Sequence, residues 1–160
     1  MKEITVFTPT FNRAYCLHQV YESLCRQTVN DFIWLIIDDG SSDNTKELVQ
    51  SWVKESKIDI QYHYKTNGGM HTGHNAAYSL IETPFNVCID SDDFLTDNAI
   101  EIILKHTENL TANFAGIIGL DADKQGVIIG TRMPDNLLKT KLNELYLIHK
   151  VKEEKKLVYR

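Results

Sequence analysis

"NVCIDSDDFL" (86–95) decides how this 160-residue chain is read. Val87, Cys88 and Ile89 have the character of a buried strand, and the carboxylates Asp90, Asp92 and Asp93 follow at once. At about 4 Å and an effective dielectric near 20, each pair of these charges repels by roughly 4 kcal/mol. Such crowding at the end of a core strand implies a counter-charge. Mg²⁺ and Mn²⁺ favour carboxylate oxygens and commonly bridge one or two of them to phosphates. The plainer alternative places Asp92 or Asp93 against the open amides of a helix start.

Working outward, the same strand-then-polar pattern recurs. "EITVFT" (3–8) alternates as a first strand, and "FIWLII" (32–37) is continuously apolar, as in a sheet covered on both faces. "IDIQYHY" (58–64) is a third strand, and "FNVCI" (85–89) the fourth. Between them, Leu17, Val20, Tyr21 and Leu24 form one helical stripe, and Leu48, Val49, Trp52 and Val53 another. Asn12, the pair Asn44 and Glu47, and Thr96 are candidate helix caps. A short helix is expected near His74–Ile81, with a further one carrying Ile100, Ile103 and Leu104. "FAGIIGL" (114–120) and "GVIIG" (126–130) read as strand–turn–strand around Gly126. Residues 136–150 are expected to be helical, and "KKLVYR" to start a strand.

This alternation predicts an α/β fold, a largely parallel sheet flanked by helices and related to the Rossmann arrangement. Parallel strands bring their carboxyl ends to one rim, where such sheets bind ligands. Thr8–Thr10, Asp38–Asp39, Thr66–Gly69 and Asp90–Asp93 should therefore meet there.

Composition narrows the function. Hydrophobic residues make up 42% and charged residues 24%, as in ordinary globular domains. A net charge of −5 argues against a general nucleic-acid surface. Cys16, Cys25 and Cys88 lack CxxC spacing and suit buried thiols in a reducing compartment. No signal-peptide pattern opens the chain, and "FIWLII" is too short to span a bilayer. The expected location is cytoplasmic, with peripheral association at the inner membrane face left open.

The other rim segments carry binding chemistry. In "IIDDGSSD" (36–43), Asp38 or Asp39 suits a ribose hydroxyl or base N–H, and Gly40 permits a tight turn. The structural alternative is a capped turn led by Asp43 or Asn44. "NGGMHTGHN" (67–75) combines close-approach glycines with His71 and His74, the latter a candidate phosphate donor. Their HxxH spacing alone makes a poor zinc site.

In order along the chain, "TPTFNR", "IIDDGSSDNT", "NGGMHTGHNAA" and "CIDSDDFL" resemble the donor-binding half of a family 2 glycosyltransferase with the GT-A fold. The resemblance covers roughly the first hundred residues. It implies a nucleotide-sugar donor, commonly a UDP-sugar, a divalent cation (Mn²⁺ or Mg²⁺), and inverting transfer to an acceptor hydroxyl of a glycan or lipid-linked molecule. By position, Thr8, Pro9 and Thr10 match the first loop around the nucleotide. Asp38 or Asp39 matches the acid reading the nucleoside, and Asn67, Gly68, Gly69, His74 and Asn75 match the second loop. His74 stands where arginine is frequent. Asp90–Ser91–Asp92 matches the DxD signature, with Asp92 or Asp93 the expected metal ligand and Asp90 serving ribose or an outer contact.

A general base for the acceptor has no convincing counterpart in residues 131–160. Glu144 lies in an expected helix, and "KEEKK" (152–156) reads as a solvated charge run. The expectation is therefore one domain over 1–160, with 1–100 the nucleotide-sugar-binding part and 101–160 an incomplete acceptor-side part of a truncated enzyme. Other functions compete. A dinucleotide-dependent oxidoreductase needs a glycine-rich first turn, which "TPTFNR" lacks. A haloacid-dehalogenase-type phosphatase would make Asp90 its nucleophile but calls for Thr or Val at Phe94. A non-catalytic nucleotide-sugar-binding module would use the same rim.

Overall fold

The structure is a computed structural model describing residues 2–152 and 155–160. Among these residues the order is β1 (Ile4–Thr10), α1 (Ala14–Cys25), β2 (Phe32–Asp38), α2 (Thr45–Glu55), β3 (Ile60–Tyr64), α3 (Met70–Leu80) and β4 (Phe85–Cys88). Then follow α4 (Ala99–Thr107), β5 (Gly116–Gly119), α5 (Leu142–Leu147) and β6 (Lys156–Tyr159). The sheet runs β3-β2-β1-β4-β6-β5. β1 pairs in parallel with β2 and β4, and β2 with β3. β6 joins β4 antiparallel through Asn86–Tyr159 and Val87–Val158. The expected α/β class, with a largely parallel sheet flanked by helices, is borne out.

The chain forms two compact units, Met1–Ile117 with Val158–Arg160, and Ile118–Leu157. In the first, the period-two alternation of the strands divides the core. Ile4, Val6, Phe32, Trp34, Ile36 and Val87 face the stripes of α1 and α2, where Leu17, Val20, Leu24 and Val49 are fully buried. Tyr21 stacks on Trp52 with ring centroids 4.4 Å apart, and Trp34 lies 5.8 Å from Trp52. On the opposite face Phe7, Leu35 and Ile37 pack with Ala77 of α3. Gly73 lets α3 approach closely, since a Cβ there would meet the Pro9 side chain at 3.4 Å.

The helix starts differ from expectation. None of Asn12, Asn44 or Thr96 makes a side-chain cap at α1, α2 or α4. Asp43 does the work at two of them: its carboxylate accepts from the amides of Ala14 and Thr45, each at 3.1 Å. Each is the first residue of its helix, so one side chain satisfies an orphan donor of both α1 and α2. Burial alone would raise the Asp43 carboxyl pKa, but the Thr45 hydroxyl and these amides hold it below the usual carboxylate range. At α4, the Ile100 amide donates to Gln27 Oε1 at 3.0 Å, from the end of α1. α3 begins at Met70 rather than near His74, directly after Gly69.

In the second unit the expected second arm of the strand–turn–strand shrinks to one bridge, Ala122–Ile128. Gly126 does occupy the turn with φ +80°. The Asp123 carboxylate accepts from the Gln125 and Val127 amides, both at 2.9 Å. The helix expected over 136–150 is confined to α5, where Leu145 is buried while Leu138 is 89% exposed. An apolar stripe without a surface to bury against does not sustain a longer helix.

Candidate functional site

The register of the parallel strands aligns Thr10 with Asp38 and Asp38 with Tyr64, so three strand ends stop at one level. The loops that follow them bond to one another. Asp39 donates its amide to Thr10 O at 2.8 Å, and Asn67 Nδ2 donates to Asp39 O at 2.8 Å. Asn12, with φ +52°, accepts the Ser42 amide on its Oδ1 at 2.7 Å. Gly40, at φ +83°, has no room for a side chain, because a Cβ would lie 2.7 Å from Asn67 N. The first loop, the acidic turn and the glycine loop are thus one hydrogen-bonded ledge.

The paired acids of that ledge are both buried, at 1% and 5% exposure for Asp38 and Asp39. Asp38 accepts from the Ser41 amide at 2.7 Å and from the Tyr62 hydroxyl at 2.5 Å. The Tyr62 phenol is pushed well above its ordinary pKa by burial and by the Asp38 charge. Asp39 binds the Lys65 ammonium and the amides of Gly68 (3.0 Å) and Gly69 (2.8 Å). Burial would raise the Asp39 pKa, yet Lys65 and the two amides hold it below the usual range. Lys65 also donates to Thr66 O at 2.7 Å and Thr72 Oγ1 at 2.8 Å. Both acids therefore shape the ledge. Asp39 has its acceptor positions filled by the glycine loop, whereas Asp38 retains spare lone-pair capacity.

Other sequence-predicted residues are distributed unevenly. Thr8 is fully buried and its hydroxyl accepts the Trp34 indole N–H at 3.0 Å, so its side chain belongs to the core. Pro9 lies under Gly73. Thr10 is 3% exposed, with a hydroxyl that has no partner among the described residues. His74 is half-buried, edge-on to Phe7 at 5.3 Å, with Nε2 3.9 Å from Cys88 Sγ. Asn75 is exposed.

After β4, Asp90, Asp92 and Asp93 are exposed while Ser91 is buried. The Asp93 amide closes a tight turn on Asp90 O at 3.0 Å. Arg13 Nη1 reaches Asp92 Oδ2 at 3.2 Å, linking the first loop to this acidic turn. Behind the turn, Ser23 Oγ accepts the Leu95 amide at 3.2 Å and Gln27 Nε2 donates to Thr96 O at 2.8 Å. Two surface grooves of about 510 and 500 Å³ lie elsewhere and contain none of the sequence-predicted site residues.

The donor set fits a metal held jointly with a phosphate ligand. Exposed carboxylate oxygens suit Mg²⁺ or Mn²⁺, which typically take one or two protein carboxylates and leave other positions to phosphate and water. It does not fit a metal caged by protein alone: among the described residues, no three His, Cys, Asp or Glu side chains converge to hold one.

Sequence reading missed Arg13, Tyr62 and Lys65. Lys65 follows the third strand directly beside the glycine loop, and Arg13 sits in the quoted "TFNR". Their signal was a cation on a rim crowded with acids.

The family described as "Glycosyl transferase family 2" matches residues 5–152. The chain belongs to glycosyl transferase family 2. Within it, the chain is 32% identical over 102 residues to a chondroitin synthase of Pasteurella multocida, covering 64% of this chain and 10% of that protein. Among solved structures, S. aureus TarS 1–349 in complex with UDP-GlcNAc matches with a TM-score of 0.62 at 24% identity, over 66% of this chain and 31% of that one. The mannosyltransferase PcManGT of Pyrobaculum calidifontis, in complex with GDP-Man and Mn²⁺, matches at 0.53 and 21% identity, over 56% of this chain and 27% of that one. These likenesses bear out the GT-A-type fold. The chain spans a tenth to a third of the length of these family 2 proteins. Among the described residues, no helix is long and apolar enough to cross a membrane.

Proposed function

We propose that this family 2 chain binds a nucleotide-diphosphate sugar, a UDP-sugar in the first instance, on the ledge formed by its first three loops and the acidic turn. The reaction is transfer of the sugar, with inversion, to an acceptor hydroxyl during glycan or polysaccharide synthesis, in the cytoplasm or at the inner membrane face. The observation carrying this reading is the convergence of Thr10, Asp38, Asp39, Gly68 and Gly69 at one sheet edge. Arg13 ties that edge to Asp92. The UDP-GlcNAc and GDP-Man bound to the TarS and PcManGT structures support the donor class.

Asp38, with Asn67 and the exposed glycine backbone, forms the nucleoside side of the site. Asp92 and Asp93 would hold Mn²⁺ or Mg²⁺, with Asp90 and Ser91 shaping their turn and His74 and Asn75 on the phosphate side. A bound divalent ion there neutralises the diphosphate and stabilises it as a leaving group. The chain's own residues orient the donor and keep its acids apart. Donor contacts are assigned to residues 1–100, and residues 101–160 are assigned to the acceptor side.

A second reading, a nucleotide-sugar-binding module without transfer, has one observation in its favour. Glu144, an acid considered as acceptor base, lies 3.4 Å from Lys141 Nζ and accepts the Lys141 amide at α5. Calorimetry with UDP and GDP, each with Mn²⁺ and then with chelator, tests the donor site. UDP-selective, metal-dependent heat supports it, and absence of binding by either nucleotide overturns it. Transfer from UDP-sugars, assayed on the full-length protein, separates enzyme from binding module.

A further inference from the structure

Arg13 reaches the acidic turn from a fixed base. Asn12 is tethered to the amides of Ser42 and Asp43, and the Ala14 amide to Asp43, so the backbone on either side of Arg13 is held. The guanidinium places Nη1 at 3.2 Å from Asp92 Oδ2 and at 2.9 Å from the Tyr15 hydroxyl, with its centre 5.9 Å from the Tyr15 ring. Both partners of the ion pair are accessible, Arg13 at 41% and Asp92 at 58% of the side chain. The neighbouring cation on the ledge, Lys65, is already shared among Asp39, Thr66 and Thr72.

We infer that Arg13 is an electrostatic latch that occupies the Asp92 carboxylate in the unliganded protein and yields it to a divalent cation. This rests on the assignment of Asp92 as a metal ligand. A metal ion and a guanidinium cannot both take the same carboxylate oxygen without two cations crowding at close range. A metal ion at Asp92 therefore competes with the Arg13 guanidinium for this carboxylate and weakens the Arg13–Asp92 pair. The loosened guanidinium has donor geometry suited to phosphate, so a diphosphate arriving with the metal offers it a new partner. The latch makes metal binding alone less favourable and makes metal and nucleotide binding mutually reinforcing, with reciprocal coupling.

The test is calorimetric titration of Mn²⁺ into the wild-type protein, Arg13→Ala, Asp92→Ala and Arg26→Ala, with and without UDP. Arg26 forms an exposed ion pair with Asp97 at 3.1 Å and serves as a charge-matched control. Arg13→Ala should bind Mn²⁺ alone about two- to fivefold more tightly than wild type, the range expected for loss of an exposed ion pair. UDP should then enhance its Mn²⁺ affinity less than in wild type, while Arg26→Ala behaves like wild type. The Arg13 side-chain N–H signal in NMR should also shift when diamagnetic Mg²⁺ is added alone. If Asp92→Ala loses Mn²⁺ binding but Arg13→Ala binds no more tightly than wild type, the latch is wrong and the metal site stands. If Asp92→Ala binds Mn²⁺ like wild type, the metal assignment and the latch both fall.

Discussion

The indole N–H of Trp34 donates to Thr8 Oγ1 across 3.0 Å, with both residues fully buried. The hydroxyl that the sequence offers to a ligand is therefore spent inside the aromatic core of β2, α1 and α2. Two positions along β1, Thr10 carries a buried hydroxyl with no partner among the described residues. Thr8→Val strands the indole donor and should lower unfolding free energy by about 1–3 kcal/mol. Thr10→Val should be near neutral in the unliganded protein. Urea unfolding of both variants checks the contrast.

Asp43 secures two helix starts at once, whereas Asn44, the nominal cap of α2, makes no side-chain cap bond. Asp43→Ala should cost about 1–3 kcal/mol, more than a single ordinary cap. Asn44→Ala should stay within about 0.5 kcal/mol of wild type. Equal losses in thermal melts of the two variants would contradict this division.

The folded-state pKa of Asp39 lies below its ordinary value, so its charge is stabilising wherever the unfolded chain is also ionised. That contribution is complete above the usual carboxylate range near pH 4 and fades as pH falls through the lower folded value. Asp39→Asn should be about 2–3 kcal/mol less stable than wild type at neutral pH, with Lys65 left poorly paired. The gap should narrow below about pH 4. Chemical unfolding across that interval measures it.

Gly40 combines a left-handed backbone with the approach of Asn67. Gly40→Ala should cost at least about 1 kcal/mol and displace the glycine loop. Amide exchange at Gly68 and Gly69, whose N–H groups bind Asp39, should accelerate in the variant.

Asp92→Ala and Asp93→Ala together should abolish Mn²⁺-dependent UDP binding while changing the thermal midpoint little, since both side chains are exposed. Undiminished binding in the double variant would exclude this turn as the metal site.

The strands and the rim were legible because they depend on local pattern. Apolar runs ending at Asp38 and at Asp90 mark strand ends, and parallel pairing carries those ends to one edge. What the pattern does not encode is which groups meet across long separations. Lys65 and Tyr62 reach Asp39 and Asp38 from the end of β3, and Asp43 reaches Ala14 from the far side of β2. Asn12 and Asn44 have the right chemistry for caps, but Asp43 has the right position. Periodicity misled most in 136–150, where the apolar spacing exists but Leu138 finds no surface to cover it.

The place of β1 between β2 and β4 bears on how the protein is made. β1 leaves the ribosome well before Phe85–Cys88, the strand that covers its second edge. At roughly 5–20 residues per second, the intervening stretch of about 75 residues takes about 4–15 s to synthesise. Once β2 has been made, for the rest of that time a β1–β2 pair presents an open, highly apolar edge through Ile4, Val6 and Phe7. Slow decoding between α1 and β4 lengthens that exposure, so the timing of translation there should govern how much nascent chain is lost to chaperones or aggregation.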